Sequence, residues 1–173
     1  MFAFWGLVIA VNYPVEVNEY FETFLSRLEG VTEMGLGAIF VFIFLNNSFV
    51  AFLASIGGIV LSVFPFIILV SNGLMLGVVL HIVLTVESFG FFLVGILPHG
   101  VIEIPVVLYA TSLGIWLGKS FFDFLVFKKE TKESMQDKLK RSFCSYIFIV
   151  VPLLFLAALI EVTVTPILLY LIS

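Results

Sequence analysis

Hydrophobic residues run through this chain in long blocks, and charged residues are confined to the segments between them. Three long blocks contain only two charged residues in total. The blocks are residues 34–86, 88–118 and 142–173, and the two charged residues are Glu103 and Glu161. A bilayer core about 30 Å thick is crossed by about 20 helical residues. The first block is therefore long enough for two spans, with Gly57 and Gly58 at the turn between them.

The pattern predicts an all-α, polytopic transmembrane helical bundle that forms a single transmembrane domain over residues 1–173. The N-terminal run MFAFWGLVIAVNY is short for a span, but it lacks the basic start of a cleaved signal peptide, so we interpret it as a first helix. About five spans are expected, at about 1–13, 34–56, 59–83, 89–118 and 143–172.

Two segments outside the spans have apolar residues on one helical face. The segments are 14–33 and 119–142, and both are expected to be interfacial amphipathic helices. For the second segment, a solvated connector fits the sequence equally well.

Composition supports lipid as the solvent of this chain. Hydrophobic residues make up 62% and charged residues 12%, and the mean hydropathy is +1.25. A water-soluble surface cannot be built from so few charges. We therefore expect a multi-pass protein of the cell membrane, with the lipid bilayer as its main partner. No basic patch faces water, so no nucleic-acid partner is expected.

The basic residues predict an orientation. Seven of the eight Lys and Arg residues lie between Lys119 and Arg141, whereas residues 14–33 hold five Glu and one Arg. Because basic loops stay on the cytoplasmic side, segment 119–142 is predicted to be cytoplasmic and segment 14–33 to be outside. Five spans then place the N-terminus inside and the C-terminus outside.

Polar residues inside the predicted spans fall at a similar depth. Glu161, for example, is about 18 Å from the outer end of its span at 1.5 Å per residue. A carboxylate at the bilayer centre costs at least about 2.5–3.5 kcal/mol, so the polar groups are expected to face one another. The predicted midplane cluster consists of Asn46, Asn47, Asn72, His99, Glu103 and Glu161.

The stretch ILPHGVIEIP combines this polar chemistry with two prolines. His99 and Glu103 are four residues apart, so they share a helical face. Pro98 suits the start of a helix, and Pro105 leaves the carbonyl of Val101 without an amide partner. The sequence therefore predicts a broken or re-entrant helix near Pro98, the arrangement with which many transporters bind ions.

Three interpretations of the polar cluster remain open at this stage. It is a hydrogen-bonded packing element, a site for a cation or a proton, or a divalent-metal site with His99, Glu103 and Glu161 as candidate ligands. No resident cofactor is expected. Gly73 and Gly77, together with Ala110, Gly114 and Gly118, allow close helix approach, and we expect a homo-oligomer, with a dimer favoured.

Several motifs occur in an order that resembles the stage II sporulation protein M family. They are FLNNSFVAFLASIGGIVLS, NGLMLG, LPHGVIEIPVVLYA and AALIEVTVTP, which together cover about residues 40–170. The resemblance implies a polytopic membrane protein and, in spore-forming bacteria, a membrane anchor that recruits cell-wall hydrolases during engulfment. It also implies that the family pattern includes Asn46, Asn47, Asn72, Gly73, Pro98, His99, Gly100, Glu103, Glu161 and Pro166.

The sequence-based expectation for function is a non-enzymatic membrane scaffold or anchor that recruits membrane or cell-envelope proteins. The alternative is a cation or proton channel or transporter that uses His99, Glu103 and Glu161. An intramembrane enzyme is not expected, because neither Ser112 nor Cys144 falls beside His99 in the predicted spans.

Overall fold

The computed structural model describes residues 1–19, 22–23, 35–59, 63–128 and 131–172. Within these ranges all regular structure is helical, which confirms the all-α prediction. A further helical stretch covers residues 14–19. The α-helices are α1 (Phe2–Asn12), α2 (Leu36–Ile56), α3 (Val63–Val86), α4 (Phe89–Phe122), α5 (Lys132–Ser145) and α6 (Val151–Ile172).

Four helical runs in the described part of the chain are long and apolar enough to cross a membrane. They are Leu36–Ile59, Val63–Val86, Phe89–Phe127 and Lys132–Ile172. The N-terminal helix α1 has 11 residues, or roughly 17 Å at 1.5 Å per residue, about half of a 30 Å hydrocarbon core. Of the five spans expected, four are therefore found at spanning length, and the first is a short apolar helix.

The segment predicted as a cytoplasmic amphipathic helix or connector, 119–142, includes the end of α4, a π-helical turn and most of α5. Helix α4 continues through a π-helical turn at Asp123–Phe127, and Lys128 then adopts a left-handed backbone conformation with φ of 51°. Helix α5 begins after Thr131, whose hydroxyl accepts a hydrogen bond from the amide of Ser134 at 3.1 Å. A second π-helical turn, Tyr146–Val150, joins α5 directly to α6.

The prediction of a helix break near Pro98 is wrong, because α4 is continuous from Phe89 to Phe122 through both Pro98 and Pro105. A proline inside a helix removes one backbone hydrogen bond. A helix that ends in the apolar layer leaves up to four amides and four carbonyls without partners at each new pair of ends. A helix that continues through a proline therefore loses fewer backbone hydrogen bonds than a helix that is broken there. Helix α6 likewise continues through Pro166.

The chain divides into two compact units. Unit 1 consists of Met1–Ile43, Val70–Gly100 and Ala158–Ser173, and unit 2 consists of Phe44–Leu69 and Val101–Ala157. In unit 1, α1 packs closely on α3: a Cβ atom at Gly77 would overlap the backbone carbonyl of Ala3, and one at Gly6 would overlap that of Leu74. The Gly73/Gly77 pair therefore makes an intramolecular contact, in which α3 packs closely against α1.

Unit 2 is built on close contact between α2 and α4. A Cβ atom at Gly114 would overlap the carbonyl oxygen of Ala54, and one at Gly58 would overlap that of Gly114. The Tyr146 hydroxyl donates a hydrogen bond to the Ser48 carbonyl at 2.9 Å. The buried core of this unit consists of Ala51, Ala54, Val106, Ala110, Tyr146, Val150 and Leu154.

Candidate cation site

His99 and Glu103 are adjacent on one face of α4. They are one helical turn apart on an uninterrupted helix, and a ring nitrogen of His99 lies within 4.8 Å of a carboxylate oxygen of Glu103. Both side chains are partly buried. The i,i+4 spacing thus gives the pairing that the sequence predicted.

A third side chain reaches His99 from a different helix. Glu161 lies on α6, and its carboxylate has an oxygen within 4.8 Å of a ring nitrogen of His99. Both residues belong to unit 1. In the same unit, a Cβ atom at Gly95 would lie 3.9 Å from a Cδ of Leu169, so α4 and α6 are direct neighbours there. His99 therefore has one carboxylate on its own helix and another on the helix packed beside it.

The imidazole of His99 has unused bonding capacity. Its Nδ1 atom is buried and has no hydrogen-bond partner among the described residues. A buried polar atom without a partner costs about 1–3 kcal/mol, so it requires an explanation, such as strain, a catalytic role, or a bound water or ion. Imidazole nitrogen is also the commonest metal ligand in proteins.

The three asparagines of the predicted cluster differ in their surroundings. In α2, the Asn46 side-chain amide donates to the Asn47 side-chain carbonyl at 3.3 Å. Asn46 is exposed and Asn47 is half-buried, and both belong to unit 2. Asn72 is exposed on α3, in unit 1. Their membership of the cluster stays a prediction.

Sequence reasoning missed the hydrogen bond by which Tyr146 is anchored in unit 2. Tyr146, whose hydroxyl donates a hydrogen bond to the Ser48 carbonyl, lies in the largely apolar run CSYIFIVV. A tyrosine within an apolar run was the available signal, because a buried phenol usually has a hydrogen-bond partner.

One imidazole nitrogen and two carboxylates form a donor set with a definite chemistry. Zn²⁺ takes nitrogen and oxygen ligands at about 2.0–2.2 Å, and larger divalent cations take oxygen at about 2.3–2.6 Å, so ligand atoms on one ion are at most about 4–5 Å apart. Separations of up to 4.8 Å from His99 to each glutamate fit this range. The two carboxylates would also balance the charge of one divalent cation.

The comparisons with known proteins agree with the motifs. The family model described as Stage II sporulation protein M matches residues 1–166. An uncharacterized protein of Methanocaldococcus jannaschii is 38% identical over 125 residues, which cover 70% of this chain and 67% of that protein. No solved structure matches the chain significantly. With four long apolar helices among its described residues and this match over nearly its whole length, the chain is a polytopic membrane protein that belongs to the stage II sporulation protein M family.

Proposed function

We propose that this membrane protein binds a divalent cation at His99, Glu103 and Glu161 and carries it across the bilayer. The observation that supports the proposal most directly is the approach of Glu161 on α6 to His99 on α4, whose buried Nδ1 has no hydrogen-bond partner in the described residues. A packing element made of a histidine and a carboxylate would be expected to use that nitrogen in a hydrogen bond.

Charge gives the second argument. Glu103 and Glu161 lie in helices long and apolar enough to cross a membrane. Ionisable residues in such positions are costly, and they commonly mark ion pathways. A divalent cation neutralises two carboxylates at once and uses the imidazole as a neutral ligand.

The proposed orientation follows from the basic segment. Because seven of the eight Lys and Arg residues lie between Lys119 and Arg141, we place that region in the cytoplasm and the C-terminus outside. With four crossings instead of five, both termini fall on the same side, so the N-terminus is also placed outside.

The experiment compares cation binding and flux in matched variants. The purified chain is titrated with Zn²⁺ and with Mn²⁺ in detergent, and uptake of the same ions is followed in liposomes. Glu103→Gln and Glu161→Gln should weaken binding by at least about tenfold, since loss of even a supporting partner of a metal ligand costs about 10–100-fold. Glu87→Gln, an exposed acidic residue just after α3, is the control and should change neither readout.

The scaffold expected from the family resemblance gives a different outcome. A scaffold shows no binding and no flux in the wild type, and both glutamine variants stay folded and as stable as wild type. Proton flux without metal binding would assign the same cluster to protons. Metal binding without flux would leave a structural metal site.

A further inference from the structure

We infer that the groove between α2 and α5 binds an anionic phospholipid, with the acyl chain along the groove and the phosphate at Lys140. This inference does not depend on the cation site. The groove belongs entirely to unit 2 and has a volume of about 370 Å³. Its lining residues are Phe52, Ile56, Gln136, Leu139, Lys140 and Phe143.

The periodicity of α5 separates a packed face from the groove face. On the packed side, Lys138 donates a hydrogen bond to the Ser120 hydroxyl at 3.1 Å and lies 5.7 Å from the ring centre of Trp116. Ser142, also on this side, is buried and donates to the Ser55 carbonyl at 3.3 Å. The groove face presents Gln136, Leu139, Lys140 and Phe143, at the i, i+3, i+4 and i+7 positions of one stripe.

The walls of the groove are apolar and its polar atoms are confined to two side chains. Phe52 and Ile56 form the α2 wall, and Phe143 is 49% exposed while Leu139 is 38% exposed. Only Gln136 and Lys140 bring polar side chains to the lining, one turn apart on the same helix. An elongated apolar molecule with an anionic end matches this distribution.

The charge of the segment that contains Lys140 favours an anionic headgroup. Residues 119–141 hold seven Lys and Arg residues against four Asp and Glu residues, a net charge of +3. Asp137 and Glu133 on α5 are among the acids, and Lys132, Lys140 and Arg141 are exposed. Basic residues beside a membrane-spanning helix attract lipid headgroups with a net negative charge more strongly than headgroups whose phosphate charge is balanced by a cation. A phospholipid supplies both the acyl chain and the phosphate that this surface accommodates.

The test is native mass spectrometry of the full chain in detergent with added phosphatidylglycerol or phosphatidylcholine of the same acyl chains. Wild type should retain phosphatidylglycerol in preference to phosphatidylcholine. Lys140→Gln keeps most of the side-chain length and should lower phosphatidylglycerol binding by about tenfold, the lower end of the effect of losing a hydrogen bond to a charged group. Lys132→Gln is the matched control, because it removes the same charge from an exposed position of α5 outside the groove.

A second variant tests the apolar part of the groove. Ile56→Trp fills the space between α2 and α5 and should reduce binding of both lipids, while thermal unfolding checks that the chain remains folded. Equal losses for Lys140→Gln and Lys132→Gln would overturn the inference, because they indicate diffuse attraction and not a site. A dimer that Ile56→Trp dissociates would overturn it as well, since the groove would then hold a second copy of the chain.

Discussion

The close approach of α2 and α4 allows a sharp test of how the bundle is packed. At Gly114, an added Cβ atom would overlap the carbonyl oxygen of Ala54 and lie 2.8 Å from Cγ of Pro65. Neither neighbour can rotate away, since one is backbone and the other is a proline ring. Gly114→Ala should therefore push the two helices apart.

Two opposing effects set the size of the change in the free energy of unfolding. Replacing Gly by Ala inside a helix stabilises it by about 0.5–1 kcal/mol. Inserting a methyl group into a fully packed position costs about 1–3 kcal/mol. Because the overlap is with backbone, we take the upper part of that range, which leaves Gly114→Ala less stable than wild type by about 1–2 kcal/mol.

A matched glycine on the same helix separates the two effects. At Gly95, an added Cβ atom would meet only a Cδ of Leu169 at 3.9 Å, an ordinary van der Waals contact. Gly95→Ala therefore gains the helical stabilisation without the overlap. The difference between the two variants isolates the cost of the overlap, about 2–3 kcal/mol, the upper part of the range for an added methyl group.

The assay is equilibrium unfolding of the purified chain by SDS in mixed micelles, with Trp116 fluorescence as the signal and Trp5 replaced by Phe in all variants. Trp116 is suitable because it lies on α4 beside Lys138 of α5. If Gly114→Ala unfolds at the same SDS fraction as Gly95→Ala, or at a higher one, α2 and α4 do not pack backbone to backbone. Gly58→Ala should repeat the Gly114→Ala result, because its Cβ atom would overlap the Gly114 carbonyl.

Two further predictions concern the Tyr146 anchor and the orientation of the chain. Tyr146→Phe removes the 2.9 Å hydrogen bond to Ser48 and should lower the free energy of unfolding by about 0.5–1.5 kcal/mol, whereas Tyr109→Phe at an exposed position should not. Equal effects of the two changes would mean that the Tyr146 hydroxyl is not an anchor. With Cys144 replaced by Ala, a cysteine at Lys132 should resist an impermeant thiol reagent in intact cells, and one at Glu16 should react with it. Rapid labelling at position 132 would reverse the proposed topology.

The spanning helices and the His99–Glu103 pair could be predicted from the sequence because both depend on local patterns. A long apolar run with few or no charges is recognised as a candidate span from its own length and composition, whatever its neighbours are. Two residues four positions apart share a face of any helix, whatever that helix packs against. The motifs that indicated the family are equally local, and the match over residues 1–166 confirmed them.

The local pattern was misleading at Pro98. Pro98 is a reasonable helix start in water, but an end within the apolar layer exposes more backbone groups than one missing hydrogen bond does, so α4 continues. The sequence predicted segment 119–142 as an amphipathic helix or a solvated connector. In the structure the segment first extends α4 to Phe127, and from Lys132 it forms helix α5, which continues into α6 through a π-helical turn.

Only the tertiary structure decided which distant residues meet. Glu161 is 62 positions after His99, and nothing in the spacing of the two residues requires α6 to lie beside α4. The glycines show the same limit: the sequence indicated that Gly73 and Gly77 permit a close helix contact, but the fold assigned that contact to α1. The sequence by itself determines which faces are apolar, small or charged, because those are properties of each helix. Which faces pack together depends on how well their shapes fit and on the cost of leaving polar groups in lipid. Both contributions depend on all the helices together and not on any one of them.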